Sequence, residues 1–600
     1  MDPGAAPPTR EQVGGAGDST VIWEPGIGLP LYRVPYLSSG IAGRRFNEGG
    51  TAEALHLRPL RDGGFLLFRT REAGREGGIG MLGTYDNLAG SAASTAGPYR
   101  PTLDEVARLR AQGNVIPVYR EIMADLETPV SAYLKVARGP NTFLLESVEG
   151  GERLARYSFI GTDPYLVVRL RDGVVETRSS EGSRVTSFND PLDAVNMHLA
   201  QYRTVPAPGL PRFLGGAVGY LGYDAVRYFE RLPVPSVDPL GLPDACFLFA
   251  DTMLVFDHLE RTIKVVSHVH VDERTPIEQS YRDATGRIDE MVGRLSLSPR
   301  LPVGDRPLDD LPLEQRLTRH VSPERYRAMV TKAKEYITAG DIIQVGLSQR
   351  VSAPTGAHPF TVYRALRAVN PSPYMFYLDL GDFQIVGASP EMLVRLDGGA
   401  LITHPIAGTR PRGRTEEEDD ARAADLAGDE KERAEHIMLV DLARNDIGRV
   451  SQPGTVRVPQ LMAIERYSHV MHLVSHVTGE LRDDLSGVDA LRACFPAGTV
   501  SGAPQIPAME NIAELEGERR GPYAGTVGYF DFSGNMDHAI TLRTLVMHDG
   551  AAYLQAGAGI VADSSPERED DECFQKMGAL VRGIELAEAI ERDLRKEREA

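Results

Sequence analysis

Apolar positions fall into a regular rhythm only from about residue 102. Thr102-Leu-Asp-Glu105 has the spacing of a helix N-cap with its reciprocal Glu, and Val106 and Leu109 begin the apolar stripe behind it. From there to about residue 290, runs such as Tyr165 to Leu170 and Thr252 to Phe256 predict strands, alternating with short helical patterns. The Pro-rich polar stretch Ser296 to Pro312 interrupts the rhythm and predicts a linker. A second periodic block runs from about Ser322 to Arg595. No fixed period recurs, which argues against a solenoid or propeller. The pattern divides the chain into an extension (1–101), a smaller N-terminal domain (102–295), a linker (296–321) and a larger C-terminal domain (322–595).

The first hundred residues hold 19 of the 61 glycines and the single tryptophan, Trp23, and the first lysine is Lys135. Gly-rich runs such as Gly74 to Gly83 break the periodicity, so the segment can bury little apolar surface against its ordering entropy. A low-complexity, disordered extension is expected there.

Charge and cysteine usage narrow the function. Lys and Arg number 65 against 84 Asp and Glu, a net of -19, which argues against general nucleic-acid binding. Local clusters of Arg, Lys or metal still permit an anionic substrate. The three cysteines, Cys246, Cys494 and Cys573, lie far apart, which excludes a disulfide scaffold and a Cys-x-x-Cys metal site and points to a reducing compartment, the cytoplasm. No stretch approaches the roughly 18 apolar residues of a membrane span, and no signal peptide is expected.

Two Glu-x-x-Glu pairs carry the first chemical signal. Glu432 and Glu435 sit on a predicted helix whose buried side is expected to hold Ala434, Ile437, Val440 and Leu442. Glu569 and Glu572 open the C-terminal helix, which continues through Phe574, Met577 and Leu580. The i,i+3 spacing puts each pair on one helix face. From spacing alone a solvated, screened face is the simpler reading; the chemical one is a hard oxygen site for Mg²⁺. Gly408-Thr409, Gly498-TVSGA-Pro504 and Gly557-Ala-Gly559 let backbone N–H groups approach an anion, although none has a P-loop or dinucleotide form. Arg410, Arg412, Arg543 and Lys576 stand near these segments or near the carboxylates. His469, His472 and His476 fall within eight residues, with no zincin motif; as a strand, the segment puts His472 and His476 on one face. No cysteine has the setting of a glutaminase nucleophile.

Together these segments resemble anthranilate synthase component I, the large aminating subunit among the chorismate-utilising enzymes. The resemblance covers roughly residues 105 to 590. It is carried by Glu127-TPVSAYLKV, Leu144-LES, Gly340-DIIQVGLSQR, Asn370-PSPYMFY, Ala388-SPEML, Pro405-IAGTRPRG, Lys431-ERAEHIMLVDLARND, Arg466-YSHVMHLVS, Gly498-TVSGAP and Gln555-AGAGIVADS. It implies an α/β fold of the α+β type: a chorismate-binding domain of extended antiparallel sheets flanked by helices, with a smaller N-terminal regulatory domain. The implied reaction is that of an Mg²⁺-dependent lyase, chorismate plus ammonia giving anthranilate plus pyruvate, the first step of tryptophan biosynthesis.

The resemblance also implies roles. Glu435 and Glu572 would hold Mg²⁺, with Glu432 and Glu569 nearby through water. Glu391 would be the general acid for the departing C4 hydroxyl, and His472 would serve pyruvate elimination. Gly408, Thr409, Tyr523, Arg543, Gly557, Ala558 and Gly559 would hold chorismate or its pyruvyl carboxylate, and Lys576 another carboxylate contact. Gln344 stands where water-using relatives place a Lys, and Ala407 where aminodeoxychorismate synthases carry a nucleophilic Lys; both point to anthranilate. The alternatives are an aminodeoxychorismate synthase and a non-catalytic paralogue that binds chorismate or tryptophan. Gln505 and Gly346 depart from the common pattern. Ser147 and Pro373-Tyr374-Met375 match a tryptophan inhibitor site, with Glu146 and Ser147 expected at the amino group. A separate glutamine amidotransferase subunit, component II, would supply ammonia, in a heterotetramer.

Overall fold

The computed structural model describes residues 98–147, 156–207, 209–467 and 470–599, and within the first 97 residues only the backbone of short strands between Val21 and Arg71. The chain separates into two compact units, Met1–Ala96 and Gly97–Ala600. In the first, Val21–Ile22 pairs with Leu31–Tyr32, and Ile41–Phe46, Ala52–Pro59 and Phe65–Arg71 form an antiparallel meander. The rest of the expected disordered extension lies outside the described residues up to 97. In the second unit Arg100 already exchanges both backbone hydrogen bonds with Tyr119, at 2.9 and 2.7 Å. The capping box on Thr102 is present and starts the helix Leu103–Leu109.

Two 12-stranded sheets organise the second unit. One runs from the hairpin Val174–Ser179 and Gly182–Ser187 through Gly216–Leu221, Thr526–Asp531 and Met536–Ile540 to Met392–Asp397, Val470–Glu480 and Ile406–Pro411. The other runs from Gln344–Pro354 and Ala551–Ile560 through Phe383–Ser389 and Tyr374–Asp379 to Thr142–Glu146 and Val115–Met123. Strands from both sides of the linker are direct neighbours: Gly216–Leu221 pairs with Thr526–Asp531, and Thr142–Glu146 with Tyr374–Asp379. The segments 102–295 and 322–595 therefore share both sheets, and the linker divides the sequence without dividing the hydrogen-bonded structure.

Burial on both faces explains the apolar strands. In Ala245–Ala250, Cys246 and Leu248 point into the core between the sheets, with Phe143, Phe376 and Tyr529, whereas Phe247 and Phe249 face the helix-covered side. Such a strand needs no polar alternation. Each large side chain so buried contributes about 1.5–3 kcal/mol. The linker is strapped to the C-terminal helix Pro566–Glu599. Glu591 accepts from the amide of Gly304 at 2.9 Å, and Arg595 donates to the carbonyls of Gly304 and Arg306, both at 2.8 Å. Arg316 and Glu588, both buried, pair at 2.6 Å at the linker's end.

The helix Glu430–Gly448 departs from its expected buried side. Its inner stripe is His436, Leu439, Val440, Ala443 and Ile447, while Ile437 is 50% exposed and Ala434 is also outside. The cause is a rotation of the helix that turns Glu435 inward, with His436 anchored by its Nε2 to the Ser475 hydroxyl at 2.6 Å.

Candidate active site

A cavity of about 610 Å³ gathers residues from nearly every chemical segment of the second block. Glu432 and Glu435 reach it from the helix Glu430–Gly448, and Glu569, Glu572 and Lys576 from the start of the helix Pro566–Glu599. Gln344 comes from the strand Gln344–Pro354, and Gly557, Ala558 and Gly559 from its partner Ala551–Ile560. Glu391, Ala407, Gly408, Thr409, His472, Tyr523 and Arg543 complete the set.

The two Glu-x-x-Glu pairs are thus brought to one cavity, with Glu572 still exposed to solvent. Burial raises the carboxyl pKa of Glu435, and the neighbouring Glu432 and Glu572 raise it further. Burial likewise raises Glu569, with Glu572 adding to it. Converging carboxylates of one sign call for a cation. Part of that need is met by side chains: Arg410 pairs with Glu432 at 3.3 Å and Lys576 with Glu572 at 2.7 Å. Among the described residues, no three His, Cys, Asp or Glu side chains form a ready-made metal cage. The donor set, all carboxylate oxygen, fits a hard ion that keeps waters and substrate oxygens as its remaining ligands.

The same cavity also carries groups suited to anions. Arg543 is held at φ 48°, and among the described residues no hydrogen bond or ion pair reaches its guanidinium; burial lowers its pKa. A half-buried guanidinium that faces a cavity with no side-chain partner can receive a carboxylate. Lys576 donates to the Gly557 carbonyl at 2.9 Å. Glycine is needed here for space. A Cβ on Gly557 would stand 2.7 Å from the Leu347 carbonyl oxygen and 2.9 Å from the Tyr523 hydroxyl; one on Gly559 would stand 2.6 Å from the Gln344 amide nitrogen. Gly346, which departs from the common pattern, is required too, since a Cβ would lie 2.7 Å from the Val500 carbonyl oxygen. Gln505 is turned away to the Pro496 carbonyl, at 2.7 Å.

Glu391 is the outstanding acid. Loss of hydration in the cavity wall pushes its carboxyl up to about 8, although the side chain is only partly buried; the nearby Thr499 hydroxyl and Lys576 pull it down less strongly. The Thr499 hydroxyl meets no hydrogen-bond geometry, so lost hydration decides the outcome. His472 is oriented by its backbone neighbours. Its Nδ1 lies 3.1 Å from the Gly408 carbonyl, which can only accept, and 3.1 Å from the Thr409 hydroxyl. This assigns the proton to Nδ1 and leaves Nε2 as the acceptor nitrogen.

A model of the chorismate binding enzyme family matches residues 140–582. The chain belongs to the chorismate-binding enzymes. It is 50% identical over 495 residues to anthranilate synthase component 1 of Acetivibrio thermocellus, covering 82% of this chain and 100% of that protein. It is also 50% identical over 484 residues to the Thermus thermophilus protein of the same name, covering 79% and 98%. The crystal structure of anthranilate synthase component I from Streptococcus pneumoniae superimposes with a TM-score of 0.64 at 38% identity, covering 77% of this chain and 99% of that one. MenF, the isochorismate synthase of Escherichia coli, shares the fold at 20% identity and a TM-score of 0.58.

This chorismate-binding enzyme has a second cavity, between its sheets. Ser147, Pro373, Tyr374 and Met375 all line it, with Asp537 and Ala539 opposite. Glu146 also borders it but is committed elsewhere: Arg367 donates to it at 3.0 and 3.2 Å, and so does the Tyr363 hydroxyl. An amino group at Glu146 would therefore share its carboxylate with Arg367 and Tyr363. His469 lies outside the described residues.

Two contributors escaped sequence reasoning. Arg520 is fully buried and donates to the carbonyls of Gly346 at 2.6 Å and Val500 at 2.9 Å, while Glu516 neutralises it at 2.6 Å. It staples two walls of the cavity. Asp446 lies on the same helix stripe as Glu435, Leu439 and Leu442, at spacings of 4, 7 and 11 residues, and that spacing is the signal that places it on the inner face.

Proposed function

We propose that this chain is the aminating subunit of anthranilate synthase, converting chorismate and ammonia to anthranilate, pyruvate and water. The single observation that carries the reading is one cavity that gathers Glu391, whose carboxyl is pushed up to about 8, the converging carboxylates and Arg543, which has no side-chain partner among the described residues. Arg543 and the Gly557–Gly559 backbone receive the substrate's carboxylates. Ammonia adds at C2 as the C4 hydroxyl departs. Glu391 gives its proton to that hydroxyl, which leaves as water. His472, held at Nδ1 by the Gly408 carbonyl, would serve the later loss of pyruvate. Glu435 and Glu572, with Glu432 and Glu569 behind them, would hold Mg²⁺, which when bound neutralises a substrate carboxylate and withdraws electrons from the ring.

Gln344 and Ala407 support this product over the rival. Gln344 is neutral and supplies no base for activating water, and Ala407 supplies no amine nucleophile at the cavity wall. Incubation with chorismate, Mg²⁺ and ammonium salt should yield fluorescent anthranilate. Formation of an aminated product that retains the enolpyruvyl group would favour aminodeoxychorismate synthase instead, and no turnover would favour a binding paralogue.

The chain lacks a glutaminase centre of its own: its three cysteines are all buried, in settings unlike such a nucleophile. A glutamine amidotransferase subunit is therefore the proposed ammonia source, in a heterotetramer in the cytoplasm. No helix among the described residues is long and apolar enough to cross a membrane. Glutamine-dependent turnover by the pure single chain would refute the partner. The second cavity is proposed as a tryptophan site: Tyr374 and Met375 offer an apolar slot, and Ser147 a polar edge.

A further inference from the structure

A side cavity of about 40 Å³ adjoins the substrate cavity and shares Glu391, Leu439 and Thr499 with it. One water needs roughly 10–15 Å³ on this measure, so the space holds one or more. Its walls are mainly apolar, among them Leu393, Leu442, Ala443 and Ile540. Polar groups reach it at few points. Glu391 stands on one side and Asp446, on the helix Glu430–Gly448, on another. The Thr499 hydroxyl is buried there without a hydrogen-bond partner, the signature of a group that bonds to water.

Few groups in this cavity can exchange a proton near neutral pH. Burial raises Asp446 to about 7 and Glu391 to about 8. His404, which also lines the cavity, is held neutral down to about 3 by burial and by His476 and Arg395. Cys494, from the facing helix, is pushed well up by burial and remains a thiol. Arg449, one turn beyond Asp446, pulls Asp446 down only in part; its guanidinium is shared with Glu230 at 4.0 Å and the Ala493 carbonyl at 3.4 Å. Asp446, like Glu391, is partly exposed, but it does not line the substrate cavity, so solvent can reach it while substrate covers Glu391.

Glu391 loses its proton to the departing hydroxyl while substrate fills the main cavity. It must regain one before the next turnover, and the side cavity offers a route besides the main cavity. We propose that Asp446 returns the proton to Glu391 through water held in the side cavity. The Asp446 carboxyl O–H gives its proton to the water, and the water gives one of its own to the Glu391 carboxylate. Asp446, left as carboxylate, takes a proton back from solvent. The proton released by the newly added nitrogen goes to bulk water, so the cycle balances. Asp446 is thus a positioning residue for the acid. The inference rests on the reading of Glu391 as the acid of the amination.

The test compares Asp446→Asn, Asp446→Glu and Ala443→Val in rapid-quench experiments with chorismate, Mg²⁺ and ammonium salt. Ala443→Val narrows the water space and leaves both acids in place. For Asp446→Asn and Ala443→Val we expect a first turnover at the wild-type rate, then a steady state roughly 10- to 100-fold slower, within what a positioned acid supplies. KM for chorismate should stay within about two-fold, Asp446→Glu should recover most of the rate, and small carboxylic acids should speed the slow phase of Asp446→Asn. First and later turnovers slowed together would mean a structural role and overturn the proposal. So would an unchanged steady state, which would mean that Glu391 takes its proton back from the added nitrogen. A wild type that turns nothing over sinks the amination reading and this inference with it; an active wild type whose Asp446→Asn variant shows no burst sinks this inference alone.

Discussion

The amide of Ile540 donates to the carbonyl oxygen of Glu391 at 3.0 Å. Ser389, two residues before Glu391, donates its hydroxyl to the Ile540 carbonyl at 2.6 Å. The preceding residue on that strand, Ala539, lines the inter-sheet cavity together with Asp537, which accepts from the Tyr374 hydroxyl at 3.1 Å. One strand, Met536–Ile540, therefore forms a wall of the proposed inhibitor cavity and holds the backbone of the proposed acid.

Tryptophan in that cavity has a short mechanical path to Glu391. Ser147→Phe should fill the slot, leave activity without tryptophan largely intact and abolish inhibition. By linkage, saturating chorismate should weaken tryptophan binding to the wild type by the same factor that tryptophan weakens chorismate. Calorimetric titration with and without chorismate checks the reciprocity, and inhibition of Ser147→Phe at the wild-type tryptophan concentration would place the site elsewhere.

Glu391→Gln should bind chorismate and lose about 10²–10⁴ in kcat, the range of a positioned general acid. At fixed free ammonia, wild-type kcat should fall as pH rises through about 8, because the acid form disappears. The same raised pKa acts on stability. The folded state holds this proton more tightly than the unfolded chain, so its contribution is fully present below the ordinary carboxyl value and is lost as pH rises through about 8. Glu391→Gln removes that loss, so its melting temperature relative to wild type should be higher at pH 8 than at pH 5.

Glu435→Gln and Glu572→Gln should each raise the Mg²⁺ concentration needed for half-maximal activity, by about ten-fold or more for loss of one charged ligand. Glu572→Gln also releases Lys576 from its 2.7 Å pair, so KM for chorismate should change there as well. Metal titration at saturating chorismate separates the effects. An unchanged metal requirement in either variant removes that residue from the ligand set.

Two glycine replacements should differ in kind. Gly559→Ala meets the side-chain amide of Gln344 at 2.6 Å, which can swing aside at the expense of the cavity. It should fold and lose activity. Gly346→Ala meets the backbone of Val500 at 2.7 Å and disturbs the strand that Arg520 staples. It should cost about 1–3 kcal/mol of stability, the usual range for overpacking. Thermal melts with parallel activity assays distinguish the two.

The sequence by itself determined the local elements and the chemical inventory. The Thr102 cap, the strands near Leu166–Arg171 and Thr252–Asp257 and the helices bearing the Glu pairs were legible, because each depends on neighbours within a few residues. Family-length motifs carried the residues now found around one cavity. Only the tertiary structure decided that the two Glu pairs share a cavity, since they lie on helices more than a hundred residues apart in sequence. It alone decided that the segments on either side of the linker form common sheets, because strand pairing such as Leu144 with Tyr377 is a long-range hydrogen-bond choice that no local pattern encodes. The rotation that buries His436 and exposes Ile437 was hidden for a related reason: hydropathy ranks the Ile as the inner residue, and the Ser475 hydroxyl that rewards the His arrives from a distant strand. Glu391 was recognisable as a carboxyl in Ser-Pro-Glu, but its raised pKa comes from lost hydration, which exists only once the chain has closed around it.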